Sequence, residues 1–154
     1  MSVTRGKDFK LYRNTDEPYD NSPSWSLVTN VRDLTRNVEK ALADASTRAA
    51  DVRQQVSTMI DVSIDFQMVY DGGSDVTAFE DAFWESTDIE LAFLDGLISV
   101  SGAKGLRGMF QVSKFTVNEA LEDVGLVDVT VVPAYYPTNV ARRVSSNGSI
   151  LVDA

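Results

Sequence analysis

The feature that most restricts the fold is a long alternation of apolar and polar residues between Ser57 and Asp71. The apolar parity holds Val62, Ile64, Phe66, Met68 and Tyr70. The polar parity holds Asp61, Ser63, Asp65 and Gln67. Because successive side chains point to opposite faces of a strand, the pattern predicts one long strand with an apolar face and an acidic face. At about 3.3 Å per residue, residues 56–71 would span roughly 50 Å, so we expect this strand to bend or to be shared between sheets.

Shorter patterns predict further strands on either side of this one. The expected strands are Phe9–Tyr12, Trp25–Thr35, Ile89–Gly96, a hairpin within Leu97–Val117 centred on SGAKG, and Val124–Pro137. Ile89–Gly96 is apolar on both parities, which indicates a strand that is covered on both faces. The final residues, VARRVSSNGSILVDA, have no clear period, so we expect them to be loose or bound by a partner.

One amphipathic helix is predicted at about residues 75–86. Gly72 and Gly73 interrupt the long strand, and Ser74 or Asp75 can cap the helix that follows. Thr77 and Glu80 have the spacing of a capping box. The helix would present one apolar face to the sheet, formed by Val76, Phe79, Ala82 and Phe83.

The segment Arg36–Gln55 supports two interpretations. Val38, Leu42, Ala45, Ala49 and Val52 follow a helical spacing, and Ala is a strong helix former, so propensity alone predicts a helix. The apolar face of that helix would be narrow and rich in Ala, which is poor material for core packing. The alternative is an extended arm that joins two strands.

Several strands, one helix and several more strands at short spacings predict a mainly β (α+β) fold. We expect an antiparallel β sandwich or barrel with one flanking α-helix. The 154 residues suffice for one domain, which we place at residues 25–139, between an N-terminal arm (1–24) and a C-terminal tail (140–154). No apolar run approaches the roughly 18 residues that cross a bilayer, and the polar start predicts no secretory signal.

The composition excludes several classes of chemistry. The chain has no Cys and no His, so disulfides, thiolate catalysis and a Ser-His-Asp triad cannot be built from it. Its net charge of −9 disfavours affinity for nucleic acid and for anionic membranes. We therefore expect no enzyme activity, no catalytic residues, no cofactor, no metal and no membrane binding.

Three local motifs could suggest chemistry, and each has a simpler interpretation. Asp71–Asp75 (DGGSD) lacks the ligand spacing of a calcium loop and is better explained as a strand-to-helix turn. Gly102–Gly108 (GAKGLRG) lacks the GK[ST] sequence of a phosphate-binding loop and fits a hairpin turn. Asp61 and Asp65 lie about 13 Å apart along one strand, too far for a carboxylate dyad, so a solvated face is the default.

Several blocks, taken in order, resemble the major tail tube proteins of long-tailed bacteriophages. The blocks are NVRDLT (Asn30–Thr35), STRAADVRQQVSTMIDVSIDFQMVYD (Ser46–Asp71), AFEDAFWESTDIELAFLDG (Ala78–Gly96) and GAKGLRGMFQVSKFTVNEALEDVGLVDVTVVPAYYPTN (Gly102–Asn139). The resemblance covers about residues 25–139. It implies hexameric rings stacked into a hollow tube, with strands of each subunit forming a continuous inner wall. It also favours the extended arm for Arg36–Gln55.

The resemblance implies roles for particular residues and partners. Asp61, Ser63, Asp65 and Gln67 would face the lumen, and Arg36, Glu39, Asp44, Arg48 and Arg53 would belong to an arm that contacts neighbouring subunits. The expected partners are further copies of the chain, a tape measure protein, tail tip and terminator proteins, and DNA in transient, non-specific passage. The chain would reside in the virion tail after assembly in the cytoplasm of a bacterial host.

Two other functions remain open. A connector or tube module of another virion or contractile injection machine would share this architecture. A small-ligand-binding β barrel belongs to a different class and would be a monomer with an internal pocket.

Overall fold

The computed structural model of the chain describes residues 5, 9–15, 24–49, 51–119, 121, 124–135, 141–148 and 151–153. It contains nine strands and one helix within these residues. The strands are β1 (Lys10–Asn14), β2 (Trp25–Leu27), β3 (Val31–Asp44), β4 (Gln55–Val69), β5 (Asp88–Leu94), β6 (Lys104–Asn118), β7 (Leu126–Pro133), β8 (Arg142–Ser146) and β9 (Leu151–Asp153). The helix is α1 (Ser74–Trp84). No helix in the described part of the chain is long and apolar enough to cross a membrane.

All strand pairs are antiparallel, and the sheet runs in the order β2-β1-β5-β6-β7-β4-β3. Strand β8 pairs with β6, and β9 pairs with β8. The main core draws buried side chains from β1, β4, β5, β6, β7 and α1, so the sheet curls around a common interior. The predicted mainly β fold with one flanking helix is confirmed.

The alternation that begins the sequence analysis produces β4 as expected. Ile64, Phe66 and Met68 are buried, whereas Asp61 and Asp65 are exposed. β4 is flanked by β3 and β7, and in the partner β7 the buried residues Val127, Val129 and Val131 alternate with less buried ones. The apolar parities of both strands therefore close the same core.

Two strands occupy Trp25–Thr35, where the sequence analysis predicts one. β2 pairs with β1, and β3 pairs with β4 at the other end of the sheet. The chain crosses between them at residues 28–30, where the Asn30 side chain donates to the Val69 carbonyl (2.9 Å) and the Val69 amide donates to the Asn30 carbonyl (3.0 Å). The change of parity along this segment therefore reflects both a change of position in the sheet and a register irregularity between Val31 and Leu34.

The prediction of a helix for Arg36–Gln55 from propensity is wrong, and the prediction of an extended arm is confirmed. β3 and β4 form a long antiparallel hairpin whose loop comprises residues 45–54. Intrinsic helix propensity amounts to less than about 1 kcal/mol per residue, so pairing with the strongly strand-forming β4 overrides it. An isolated helix with so few large apolar side chains would also have little to bury.

Two further elements differ from the prediction. Residues 97–102 form turns, and the hairpin joins β5 to β6 through residues 95–103, so the expected strand at the start of Leu97–Val117 is absent. The C-terminal residues form β8 and β9, which extend the sheet, where the sequence analysis expected a loose or partner-bound segment. Their short alternation, with Val144 and Ser146 buried, is too brief to be recognised from the sequence alone.

The helix is confirmed at Ser74–Trp84, but its predicted caps are wrong. Gly73 is the N-cap residue, without a side-chain cap hydrogen bond. The Thr77 hydroxyl donates to the Gly73 carbonyl (3.0 Å), and the Gly73 amide donates to Asp71 Oδ1 (2.8 Å). The turn DGGSD therefore ends the strand through an Asx-type bond, as a strand-to-helix connection.

The buried face of α1 consists of Val76, Phe79 and Ala82. Phe79 meets Phe66 edge to face at 5.3 Å between ring centroids, and Phe83 stacks on Phe115 at 6.4 Å. These contacts fix the helix on the core side of the sheet. The division of the chain into arm (1–24), domain (25–139) and tail (140–154) stays a prediction, although β1, β8 and β9 all pair within the one sheet.

Candidate assembly surfaces

Four neighbouring strands, in the order β6-β7-β4-β3, share a polar face. On β4 this face consists of Asp61, Ser63, Asp65 and Gln67, the four residues that the sequence analysis assigns to a lumen. Their neighbours across the sheet are Thr35, Asn37, Glu39, Asp128 and Thr130, with Lys114 and Thr116 following on β6. We call this set the polar face.

Side-chain hydrogen bonds tie the polar face together across three strands. Asp65 accepts from the Thr130 hydroxyl (2.6 Å) on one side and from the Asn37 amide (3.2 Å) on the other. The Gln67 amide donates to Asp128 Oδ1 (3.0 Å). These bonds hold β3, β4 and β7 in register, because a slip of one residue would turn the polar side chains toward the core.

The polar face is acidic. It carries Glu39, Asp61, Asp65 and Asp128 against the single amine of Lys114. Glu39 stands directly opposite Asp61 in the register, an arrangement of like charges that costs stability in an antiparallel pair. The pair adds to the negative charge of the polar face.

Sequence reasoning missed the contributions of β3, β6 and β7 to this face. Asp128 and Thr130 alternate with buried valines in LVDVTVV, so a period-2 pattern was present. Nothing in the sequence, however, shows that β4 lies between β3 and β7. The assignment of Asp61, Ser63, Asp65 and Gln67 to a lumen stays a prediction, since the structure gives their common face and not what that face surrounds.

The same four strands have two free edges. β3 pairs with β4 along one edge, and no described strand pairs with its other edge over Val31–Asp44. On β6, strand β5 covers only Gly105–Gln111, so the continuation Val112–Asn118 has no described partner on that side. Unpaired strand edges are templates for another chain.

The hairpin of β3 and β4 extends away from the core. Every described side chain from residue 37 to residue 61 is exposed. Its large apolar side chains are more than half exposed: Val38, Leu42, Val52, Val56, Met59 and Ile60. Because a two-stranded ribbon is marginally stable in water, this hairpin needs a covering surface.

The five residues predicted to form an inter-subunit arm have different surroundings. Arg36 packs against its own subunit, with its guanidinium 5.8 Å from the Phe9 ring centroid and Nη1 donating to the Phe93 carbonyl (3.5 Å). Glu39 belongs to the polar face, whereas Arg48 and Arg53 are exposed in the hairpin loop. Their contact with a neighbouring subunit stays a prediction.

Asp44 closes the hairpin loop. The side chain and the backbone N–H of Ser46 hydrogen-bond to the Asp44 carboxylate and lower its pKa below the usual range; the N–H contact is 2.9 Å. The Ser46 hydroxyl also donates to the Gln54 carbonyl (3.3 Å) and accepts from the Gln54 backbone N–H (2.9 Å) across the loop. Since a depressed carboxyl pKa stabilises the folded form above the unfolded pKa, this cap weakens as the pH falls through the folded value.

The glycines of GAKGLRG serve chain packing. A Cβ on Gly105 would lie 1.7 Å from the Phe93 carbonyl oxygen, and one on Gly108 would lie 2.6 Å from the Ala141 Cα. These two positions require glycine because the backbone of a neighbouring segment occupies the space that a side chain would need. Among the described residues there is no group of three or more acidic side chains that could hold a metal ion.

Comparison with known proteins gives no match to a family model and no match to a curated sequence. Solved structures do match. The chain is similar to a protein of the SPP1 tail tube at 14% identity, with a TM-score of 0.70 over 96% of this chain and 81% of that one. This chain has a tail tube fold. It also matches a protein in the C6-symmetric tail of an empty gene transfer agent particle at 12% identity and a TM-score of 0.68, covering 87% and 96% of the two chains.

A third similar structure comes from the sixfold-symmetrised baseplate of an anti-feeding prophage, at 10% identity and a TM-score of 0.58. It covers 93% of this chain and 97% of that one. The tail tube resemblance in the sequence is thus confirmed at the level of the fold. At these identities the likeness extends to the path of the chain and not to individual side chains.

Proposed function

We propose that this chain is a structural subunit of a phage tail tube, which assembles into stacked rings around a hollow conduit. The observation that carries the proposal is the pair of free edges on the four-stranded sheet with the polar face. Its supports are the tail tube fold, the acidic face and the exposed hairpin. The chain acts by assembly and passive conduction, without catalysis or cofactor.

The two free edges are suited to each other. Strands alternate in direction across β6-β7-β4-β3, so β3 of one copy meets β6 of the next in antiparallel orientation. Pairing Val31–Asp44 with Val112–Asn118 would join the sheets of successive copies into one wall and remove both edges. The contact is head-to-tail, and a repeated head-to-tail contact closes into a ring when its rotation allows.

Closure of this wall puts the polar face on the inside. Carboxylates on an inner wall repel DNA phosphates, so DNA passes without forming ion pairs that would slow it. Asp61 and Asp65 carry this role on β4, with Ser63 and Gln67 as neutral polar neighbours. The core occupies the opposite face and would lie within the thickness of the wall.

Finer features of the proposal follow from the tail tube architecture. We propose hexameric rings, a lumen that holds a tape measure protein before DNA, and tail tip and terminator proteins at the two ends. The sixfold symmetry of the similar gene transfer agent tail supports six subunits in each ring. The chain would lie in the virion tail after assembly in the host cytoplasm.

A second candidate is a ring protein of a contractile injection machine. The similarity to a chain of the anti-feeding prophage baseplate favours this alternative. It would use the same edge pairing but form a limited number of rings rather than a long tube. A ligand-binding barrel is not favoured, because the clefts that line the described part of the chain are partly open to solvent.

Electron microscopy of the purified full chain tests the proposal. A tail tube subunit gives long hollow tubes, and a baseplate-type ring protein gives isolated rings or short stacks. A protein that stays monomeric at high concentration, as judged by analytical ultracentrifugation, would contradict both assembly functions.

A further inference from the structure

An apolar groove of about 830 Å³ lies between the base of the hairpin and the body of the subunit. The hairpin contributes Val38, Ile60 and Val62, and the body contributes Leu106, Pro133 and Val144. Val38 and Ile60 are each 58% exposed, so the hairpin wall of the groove is open to solvent in the isolated chain. Covering an apolar surface of this extent with a partner lowers the free energy of the complex.

The rim of the groove is basic, in contrast to the acidic chain as a whole. Arg36, Lys104, Arg142 and Arg143 line it, and Asp95 is the one acidic residue among the described lining. Arg143 and Lys104 are exposed. The groove therefore suits a partner that combines a large apolar side chain with carboxylates.

The C-terminal end of α1 has this combination. Trp84 is 74% exposed, a large apolar surface at the last residue of the helix. Asp81 and Glu85 are exposed beside it, and the last turn of α1 contains no basic residue. Carboxylates at a helix C-terminus add to the negative end of the helix dipole, so this end favours a cationic partner.

We propose that the C-terminal end of α1 in one copy docks into this groove of a neighbouring copy. The Trp84 indole would lie against Val38, Ile60 and the apolar lining, with the guanidinium of Arg143 near its ring face or near Glu85. The groove and the helix end are different surfaces of one chain, so the contact is heterologous and can propagate around a ring or between rings. The inference rests on the proposed function, since it names a contact within that assembly.

Truncation of the indole is the first test. Trp84→Ala should raise the protein concentration needed for assembly by about tenfold or more, because a central Trp anchor carries a large share of interface energy. Tyr135→Ala is the matched control, since Tyr135 is 90% exposed and lies outside both surfaces. Both variants should keep the far-ultraviolet circular dichroism of the wild type, because neither side chain is buried.

Charge exchange is the second test. Glu85→Arg or Arg143→Glu alone should weaken assembly, and the double variant should recover most of it. Recovery requires that the two side chains meet, whereas two independent surface effects would add. A double variant as defective as the sum of the single variants would overturn the pairing.

Crosslinking gives a readout that does not depend on assembly strength. The chain has no Cys, so Asp81→Cys with Met59→Cys creates a defined pair while leaving Trp84, Glu85 and Arg143 intact. A short bismaleimide crosslinker should convert assembled protein into a ladder of covalent multimers. Tyr135→Cys with Met59→Cys should give none.

The outcomes separate this inference from the proposed function. The docking would be overturned, and the tube proposal left intact, if the wild type formed tubes while Trp84→Ala assembled normally and the Asp81→Cys, Met59→Cys variant gave no ladder. A fast-migrating crosslinked monomer would show that the helix end reaches the groove of its own chain, which also overturns the docking between copies. A wild-type chain that forms neither rings nor tubes would overturn both.

Discussion

At the scale of single residues, the stability of the fold depends on the buried ion pair of Glu90 and Arg107. Glu90 is 1% exposed, and its Oε1 accepts from both Nε and Nη2 of Arg107 at 2.8 Å. The Arg107 guanidinium also lies 5.1 Å from the Trp25 ring centroid. The pair ties β5 to β6, and the same guanidinium contacts Trp25 of β2.

Arg107→Met should destabilise the fold by about 3–5 kcal/mol, because it removes both hydrogen bonds that the buried Glu90 carboxylate accepts from the Arg107 guanidinium. Urea unfolding of the monomeric protein, below the assembly concentration, measures this loss. Arg13→Met serves as the control, since the Arg13–Asp75 pair (3.1 Å) lies nearer the surface, with side chains 14% and 20% exposed. Equal losses in the two variants would contradict the role of burial.

At the scale of elements, the hairpin of β3 and β4 is exposed throughout its outer half and contributes little to the core. Lys40 and Ile60 face each other just before the register irregularity. Beyond that point, every described side chain of the hairpin is exposed. We propose that its length serves contacts with neighbouring subunits.

Replacement of residues 41–59 by Asn-Gly should leave the fold intact and abolish tube formation. Lys40 and Ile60 would then be joined by the two-residue turn that antiparallel strands favour. Circular dichroism and thermal unfolding would report the fold, and electron microscopy would report assembly. Tubes formed by the shortened chain would show that the hairpin is dispensable.

The free edge of β6 gives a second prediction at this scale. Val117→Lys should block assembly, because a charge on an edge strand opposes the addition of another strand. Val152→Lys is a matched control on β9, since the two valines are 39% and 41% exposed. If both variants assembled as well as the wild type, Val112–Asn118 would not be a ring contact.

The elements also show what the sequence could predict. Local patterns identified β4, β5 and α1 because in each the pattern and the burial agree. They failed at Arg36–Gln55, where Ala-rich propensity favours a helix. The segment is extended because Arg36 and Val38 pair with Ile64 and Val62, which lie 28 and 24 residues further along the chain. Only the β4 part of the polar face could be predicted, for the same reason. Its β4 residues share one strand, but their neighbours across the sheet come from distant parts of the chain.

At the scale of the whole molecule, the charge of the chain is unevenly distributed. Carboxylates gather on the polar face and at the end of α1, while basic side chains gather around the groove. In the proposed tube, such separation would give a subunit complementary surfaces for its own copies and a repulsive surface for DNA. Neither property requires a cofactor or a moving part.

Asp61→Lys should leave tube assembly intact and impair DNA passage. Asp61 is exposed and opposes Glu39, so the lysine relieves a like-charge pair in the subunit while it gives the wall a site that binds phosphate. Infectivity of particles built with the variant measures passage, and microscopy measures assembly. Asp88→Lys is the control, since Asp88 is exposed at the start of β5, outside the polar face and the hairpin. Unchanged infectivity of Asp61→Lys would refute the lumen assignment.

The irregularities in the free edges have a consequence for the monomer before it assembles. β3 departs from regular register between Val31 and Leu34 and between Lys40 and Leu42, and β6 does so between Val112 and Lys114. A flat edge accepts almost any strand, but a bulged and twisted edge fits only a strand of matching shape. In the proposed assembly, the irregular edges would therefore favour pairing with the matching edge of another copy over the indiscriminate strand addition that leads to aggregates.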